Sequence, residues 1–219
     1  MDTPDAIAAL IEDLCGADES LRTQAAFALG VLGEPAVEPL TRLLAAPTSE
    51  IRKRAAWVLG VIGAPALPAL LHLAEGPDQH LRIEAIRVLG VVGEARALNQ
   101  LFVGLTDPDP RVAARAARAI GKIGDPRAYH PLVTALQHPS PDVRYEACRA
   151  LVDLRVPDAV AVLRATAAAE ATRTTWGAAV AEAAARAADE LAAGADAPGR
   201  DEQFARASEL LRRQQLGPE

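Results

Sequence analysis

The stretch AAWVLGVIG, Ala55–Gly63, recurs in altered form along the chain. AAFALGVLG (Ala25–Gly33) precedes it, and AIRVLGVVG (Ala85–Gly93) and AARAIGKIG (Ala116–Gly124) follow. The leading Ala, the Leu or Ile in fifth place and the two glycines hardly change, but the third residue is Phe27, Trp57, Arg87 or Arg118. Aligned on the first glycine, the copies fall at Gly30, Gly60, Gly90 and Gly121, with Val152 in a fifth slot, so the spacings are 30, 30, 31 and 31 residues. Self-similarity at such a period is the signature of an array whose units each bury one face on the next.

Each unit reads as two helices. Helix A follows the second glycine, with Pro35, Pro65 or Pro126 in its first turn, where a missing N–H costs little. Its apolar spacing (Val37, Leu40, Leu43, Leu44) is helical. A breaker-rich turn comes next: APTSE, EGPDQ, TDPDP, HPSPD. Helix B runs from a Leu-Arg-like pair (Leu21-Arg22, Ile51-Arg52, Leu81-Arg82, Val143-Arg144) to the LG, whose glycine suits a left-handed C-cap. The fourth copy reads Val112-Ala113, its arginine displaced to Arg111. No strand signal is visible.

Composition agrees. Half of the 219 residues are apolar and 3% aromatic, so the core is built of Ala, Leu, Val and Ile in closely packed thin elements. The net charge of −6 is unlike the overall basic balance usual in nucleic-acid proteins. Cys15 and Cys148 form no disulfide framework, and Cys148 reads as a small core residue in place of the second Ala of the motif. The N-terminus shows no signal-peptide pattern, and no segment has the unbroken apolar length that spans a bilayer. A soluble cytoplasmic protein is the default expectation, with no membrane partner.

The pattern DxxxR..AA..LG..G followed by (E/D)P.AV.PL resembles the short HEAT-like repeat of the phycobilin-lyase type, over residues 4–160. The resemblance implies an all-α fold, a right-handed α-solenoid of HEAT-like helix pairs with the B helices on the concave face. Five repeats are expected over 1–160, a degenerate sixth acting as C-terminal cap over 161–194, and a linker with a short amphipathic tail helix over 195–219. The Ala-rich run TTWGAAVAEAAARAADELAAG is expected to be one long helix ending at Gly194, with Trp176 at the offset of Thr23. In HEAT-like repeats the arginine of the Leu-Arg pair usually joins an inter-repeat ladder with an acid, and Arg22, Arg52, Arg82 and Arg144 are read so.

On a helical wheel at 100° per residue, Leu21, Ala25, Ala28, Leu29 and Leu32 fall together and point into the stack, while Thr23, Phe27 and Val31 lie opposite. The same offsets give Lys53, Trp57 and Val61, then Ile83, Arg87 and Val91, then Ala114, Arg118 and Lys122, then Tyr145, Arg149 and Asp153. A flanking row holds Gln24, Arg54, Glu84, Arg115 and Glu146. Seven basic residues (Lys53, Arg54, Arg87, Arg115, Arg118, Lys122, Arg149) thus face three acids (Glu84, Glu146, Asp153). The expected groove is apolar and aromatic at its N-terminal end and cationic at its C-terminal end, as partner-binding surfaces are. The blander alternative is a merely solvated helix face.

No catalytic constellation, metal-ligand spacing or phosphate loop is found, and no cofactor is expected. HEAT-like deoxyhypusine hydroxylases carry His-Glu pairs, and none of His72, His80, His130 and His138 precedes a Glu. The expected function is a non-catalytic scaffold binding an acidic, partly apolar protein segment. The runner-up is bilin-lyase-like handling of a tetrapyrrole, its propionates on the arginines and its rings on Phe27, Trp57 and Tyr145. Third is nucleic-acid binding or alkyl-DNA glycosylase-like work.

Overall fold

The computed structural model describes residues 3–195. Twelve α-helices succeed one another there: α1 (Thr3–Cys15), α2 (Glu19–Leu32), α3 (Val37–Arg42), α4 (Ser49–Ile62), α5 (Leu67–Glu75), α6 (Gln79–Val92), α7 (Leu98–Gly104), α8 (Pro110–Ile123), α9 (Tyr129–Ala135), α10 (Pro141–Leu154), α11 (Ala159–Ala169) and α12 (Val180–Ala195). They pack in sequential pairs as an α-solenoid, the odd-numbered helices forming one layer and the even-numbered the other. A 3₁₀ turn leads into each of α3, α5, α7 and α9. The expected linker and tail helix lie outside the described residues. No single described helix is long and apolar enough to cross a membrane.

Local chemistry starts three of the even helices, α2, α6 and α8. Asp18 accepts from the Ser20 and Leu21 N–H groups, Asp78 from Leu81, and Asp109 from Arg111, which satisfies donors that have no partner inside the helix. Through the middle of the core runs a spine of one residue from each of α2 to α11. Leu29, Leu59, Leu89, Ile120 and Leu151 from the even helices, and Leu40, Leu70, Leu101, Leu132 and Leu163 from the odd ones, are all 0% exposed. Each contributes about 1.5–3 kcal/mol of burial. Burial at the opening position of helix B grows along the stack. Val112 and Val143 are buried and Ile51 and Leu81 half-buried, whereas Leu21, with Leu32, is exposed and not in the stack as its wheel position suggests. Only α1 precedes α2, so less protein is available to cover them.

The glycines divide their work differently from the expectation. Helix B runs through the first glycine of each motif and stops at the second. Gly33, Gly63, Gly93 and Gly124 have φ of 68°, 72°, 73° and 69°, and each donates its N–H to the carbonyl four residues back. Arg155 takes the same left-handed place in the fifth copy at φ 55°. The first glycine serves packing: a Cβ on Gly121 would lie 2.7 Å from the Ala150 Cα, and one on Gly90 2.9 Å from the Ala119 Cα. Missing side chains let α6, α8 and α10 touch backbone to backbone.

The Leu-Arg arginines tie the layers together. Arg82 donates to the Gly76 and Pro77 carbonyls at 3.2 and 3.0 Å and pairs with Asp107, on the loop before α8, at 3.1 Å. Arg144 donates to His138 and Pro139 at 2.6 and 2.9 Å, to Glu170 at 2.6 Å and to Thr172 at 2.6 Å. Arg52 holds the Ala46 and Pro47 carbonyls and lies 3.3 Å from Glu84. Arg22 reaches only the carbonyls of Gly16 and Ala17. The guanidinium thus fastens its own loop and, where an acid is present, the following repeat.

The C-terminal end departs from the expected long helix. α12 begins at Val180, and residues 170–179 form a loop closed by an Arg173–Ala179 bridge. Asp142, nine-tenths buried, explains the change: it accepts from the Thr175 N–H at 2.7 Å and the Thr175 hydroxyl at 2.8 Å. Those two bonds hold the loop across the start of α10, an anchor that helical propensity alone cannot supply.

Candidate functional site

The face formed by the outer residues of the even helices carries the proposed groove positions. Phe27 on α2 is 71% exposed and Trp57 on α4 56%, and Val31, Val61 and Val91 stand exposed beside them. Four of these five side chains come from the first two even helices, so the apolar strip is concentrated at the N-terminal end. Phe27 and Trp57 lie outside the core, which makes them unusually large apolar groups to leave in water.

The charges beyond them form an interlocked network. Arg87 donates to Glu84 through Nε at 2.8 Å and Nη2 at 2.5 Å, and Nη2 also lies 3.4 Å from the Arg52 carbonyl. Arg52 shares the same carboxylate from α4. Arg118 lies 3.6 Å from Glu146, whose Oε1 it faces, while the buried Oε2 has no hydrogen-bond partner. Arg115, half-buried on α8, is lowered from its ordinary pKa by burial and by the nearby Arg118 and Arg87, with Glu146 and Glu84 opposing. Lys122 is lowered for the same reasons: burial first, then Arg118, Arg115 and Arg87, against Asp153. In this region five cations, Arg87, Arg115, Arg118, Lys122 and Arg149, stand with three acids, Glu84, Glu146 and Asp153.

Two expected groove residues are committed elsewhere. Arg54 turns away to donate to the Leu14 carbonyl at 3.1 Å, capping the end of α1 as cations do at a helix C-terminus. Lys53 pairs with Glu50 on its own helix at 2.8 Å. Tyr145 is half-buried and meets Trp176 edge-on, with ring centroids 5.6 Å apart. Trp176 sits on the 170–179 loop rather than on a helix. Arg149 is exposed. The face thus brings together Arg87, Arg115, Arg118, Lys122 and Arg149 on α6, α8 and α10, and leaves Arg54 out.

Sequence reasoning passed over Arg186 and Glu190 on α12, which join Tyr145, Arg149, Val152 and Asp153 around a cleft of about 340 Å³. The available signal was Val152, where four earlier copies have glycine. Among the described residues no group of three His, Cys, Asp or Glu is placed to hold a metal. Cys148 is fully buried and its thiol is pushed up to about 12 by that burial, which suits the small core residue expected from the motif.

Three overlapping stretches, residues 3–90, 67–139 and 98–185, match the family model for HEAT repeats. The chain belongs to the HEAT-repeat family. Among solved structures it is similar to the complex of CpcE and CpcF of phycocyanin lyase from Nostoc sp. PCC7120, with TM-score 0.61 and 23% identity over 70% of this chain and 98% of that one. It is also similar to importin beta, with TM-score 0.55 and 14% identity over 84% of this chain and 30% of that much longer one. An engineered protein aligns with 89% of the chain at 23% identity and TM-score 0.49. No curated protein matches the sequence. At these identities the HEAT architecture is what is shared.

Proposed function

We propose that this HEAT-repeat protein is a non-catalytic scaffold whose even-helix face is a concave groove for an acidic, partly apolar protein segment. The carrying observation is that two large exposed aromatics, Phe27 on α2 and Trp57 on α4, share the even-helix layer with Arg115, Arg118 and Lys122 on α8, a helix that carries no acid. Curvature toward this face is supported by the glycine contacts, because a layer whose backbones touch is the shorter arc of the stack. The helix pair α11–α12 acts as the terminal cap of five repeats in this reading, as solenoids require. A cytoplasmic location belongs to the same proposal.

Selection of peptides from a random library tests the groove. The enriched sequences should place an apolar residue beside acidic ones. Trp57→Ala should remove the apolar preference and Arg118→Glu the acidic one. A selection that is unchanged by both substitutions would end the proposal.

The likeness to CpcE and CpcF keeps a tetrapyrrole ligand as the second reading. It predicts a shifted visible absorbance when a bilin is added, lost in Trp57→Ala. Nucleic acid fits less well. Of the groove cations, Lys53 is paired with Glu50, Arg87 with Glu84, and Arg54 caps α1, so the remaining groove cations are confined to α8 and α10 and do not form the continuous track along the stack that a phosphate backbone needs.

A further inference from the structure

The even helices close on one another wherever a glycine permits it. Between α8 and α10, Gly121 admits Ala150 to within backbone contact. Between α10 and α12 the equivalent position is Val152, and there the 340 Å³ cleft opens. Its floor is apolar and small, made by Val152, Ala183 and Ala187. Tyr145, edge-on to Trp176, stands at the end nearer the helix N-termini. Arg149 and Arg186 line the middle, one from each helix, and Asp153 and Glu190 the other end.

The two guanidiniums are available. Among the described residues, no carboxylate lies within 4.0 Å of either. Arg186 uses only its Nε, donating to the Glu182 carbonyl at 3.2 Å. Asp153 leans toward α8, its Oδ2 3.1 Å from where a Cβ of Gly121 would stand, and its charge acts on Lys122. Glu190 at the acid end disfavours a second anion there. The cleft therefore lines one space with two guanidiniums that no described carboxylate holds and with the small apolar side chains of Val152, Ala183 and Ala187. An α-carboxylate and the aliphatic side chain on the same Cα present an anion and an apolar group side by side, which matches that pairing of cationic and apolar lining. An internal Asp or Glu carries its carboxylate beyond its apolar carbons and leaves the floor empty.

We propose that this cleft captures the C-terminal residue of a peptide, its free carboxylate held by Arg149 and Arg186 and its aliphatic side chain on Val152, Ala183 and Ala187. The inference deepens the groove reading and rests on it: the segment in the groove ends at α12, which gives the partner a direction. The pairing of carboxylate and guanidinium is the strong, charge-assisted kind.

N-acetyl-leucine and its carboxamide are the probes, titrated into the full chain with the Trp176 indole N–H resonance as readout. The free acid should shift that resonance saturably, and the amide should bind about tenfold or more weakly, the cost of losing a hydrogen-bonded charge. The double variant Arg149→Gln, Arg186→Gln lies on the surface, so its fold should be kept, and it should lose the preference for the acid. Trp57→Ala should leave the titration unchanged. Equal binding of acid and amide, absence of any Trp176 shift, or an unchanged preference in the double variant each overturns the carboxylate site. None of those results touches the library selection, whose failure under Trp57→Ala and Arg118→Glu would overturn the groove instead.

Discussion

The junctions in the two halves of the stack are built differently at the same sequence position. Between α2 and α4, and between α4 and α6, the glycine faces a side chain: a Cβ on Gly30 would meet the Val61 Cγ1 at 3.0 Å, and one on Gly60 the Val91 Cγ1 at 2.5 Å. Between α6 and α8, and between α8 and α10, it faces the backbone of Ala119 and Ala150. The difference follows the linker. Gly33 and Gly63 lead straight into the 3₁₀ turn with ψ of −126° and −129°, whereas Gly93 and Gly124 adopt ψ of 12° and 21° and are followed by one further residue, Glu94 or Asp125, before it. That residue is the change in spacing from 30 to 31. One added residue accompanies a shift of contact from the valine after the next glycine to the alanine two residues before it. The exposed valines of the first half continue the apolar strip, and the tighter second half carries the cations.

Substitutions at matched positions sharpen this contrast. Arg144→Ala has the largest expected effect, about 2–4 kcal/mol lost in urea unfolding, because it removes bonds to two loop carbonyls, to Thr172 and to the largely shielded Glu170 carboxylate, which keeps only the hydrogen bonds from Thr172 and Ala171. Arg22→Ala, at the same repeat position but with only loop carbonyls as partners, should cost about 1 kcal/mol. The Arg144 pair also has an acid limit. Burial alone would raise the Glu170 carboxyl, but hydrogen bonds from Thr172 and Arg144 outweigh it and hold the group at about 2, against an ordinary 4.5. A depressed folded pKa stabilises fully above 4.5 and loses that contribution as pH falls toward 2. The stability curves of wild type and Arg144→Ala should converge across that window; parallel curves would show that the pair contributes nothing.

The glycines come next. Gly121→Ala must push two backbones apart and should destabilise by about 1–3 kcal/mol. Gly30→Ala needs only a small movement of the exposed Val61 side chain and gains helix propensity, so it should be neutral or stabilising by up to about 1 kcal/mol. Equal effects at the two sites would erase the distinction between the halves. The smallest change in stability, within about 0.5 kcal/mol, belongs to Trp57→Ala, since the side chain stands largely in water. A large loss there would make Trp57 a structural residue and remove the main support for the groove.

Much of this was legible in the residues. The period, the helix pairs, the buried column from Leu29 to Leu151, the arginine ladder and the outward column beginning at Phe27 and Trp57 are local or periodic properties, and a helix repeats its faces every 3.6 residues. Whether a glycine ends a helix or admits a neighbour is not local. Both glycines of LGVIG are good helix terminators, and the first becomes a contact only when the next repeat lies against it. In the same way Arg54 looked like a groove cation until the end of α1 was within its reach, and Trp176 looked helical until Asp142 anchored its loop.

The sequence by itself determined the repeat, the pairing of helices and which column faces outward, because hydrophobic periodicity and turn chemistry act over a few residues. Only the tertiary structure decided which charges remain unneutralised, how closely each pair of helices approaches and where the stack opens. Those outcomes depend on side chains about 30 residues apart meeting in space, as Arg52 meets Glu84 and Gly121 meets Ala150.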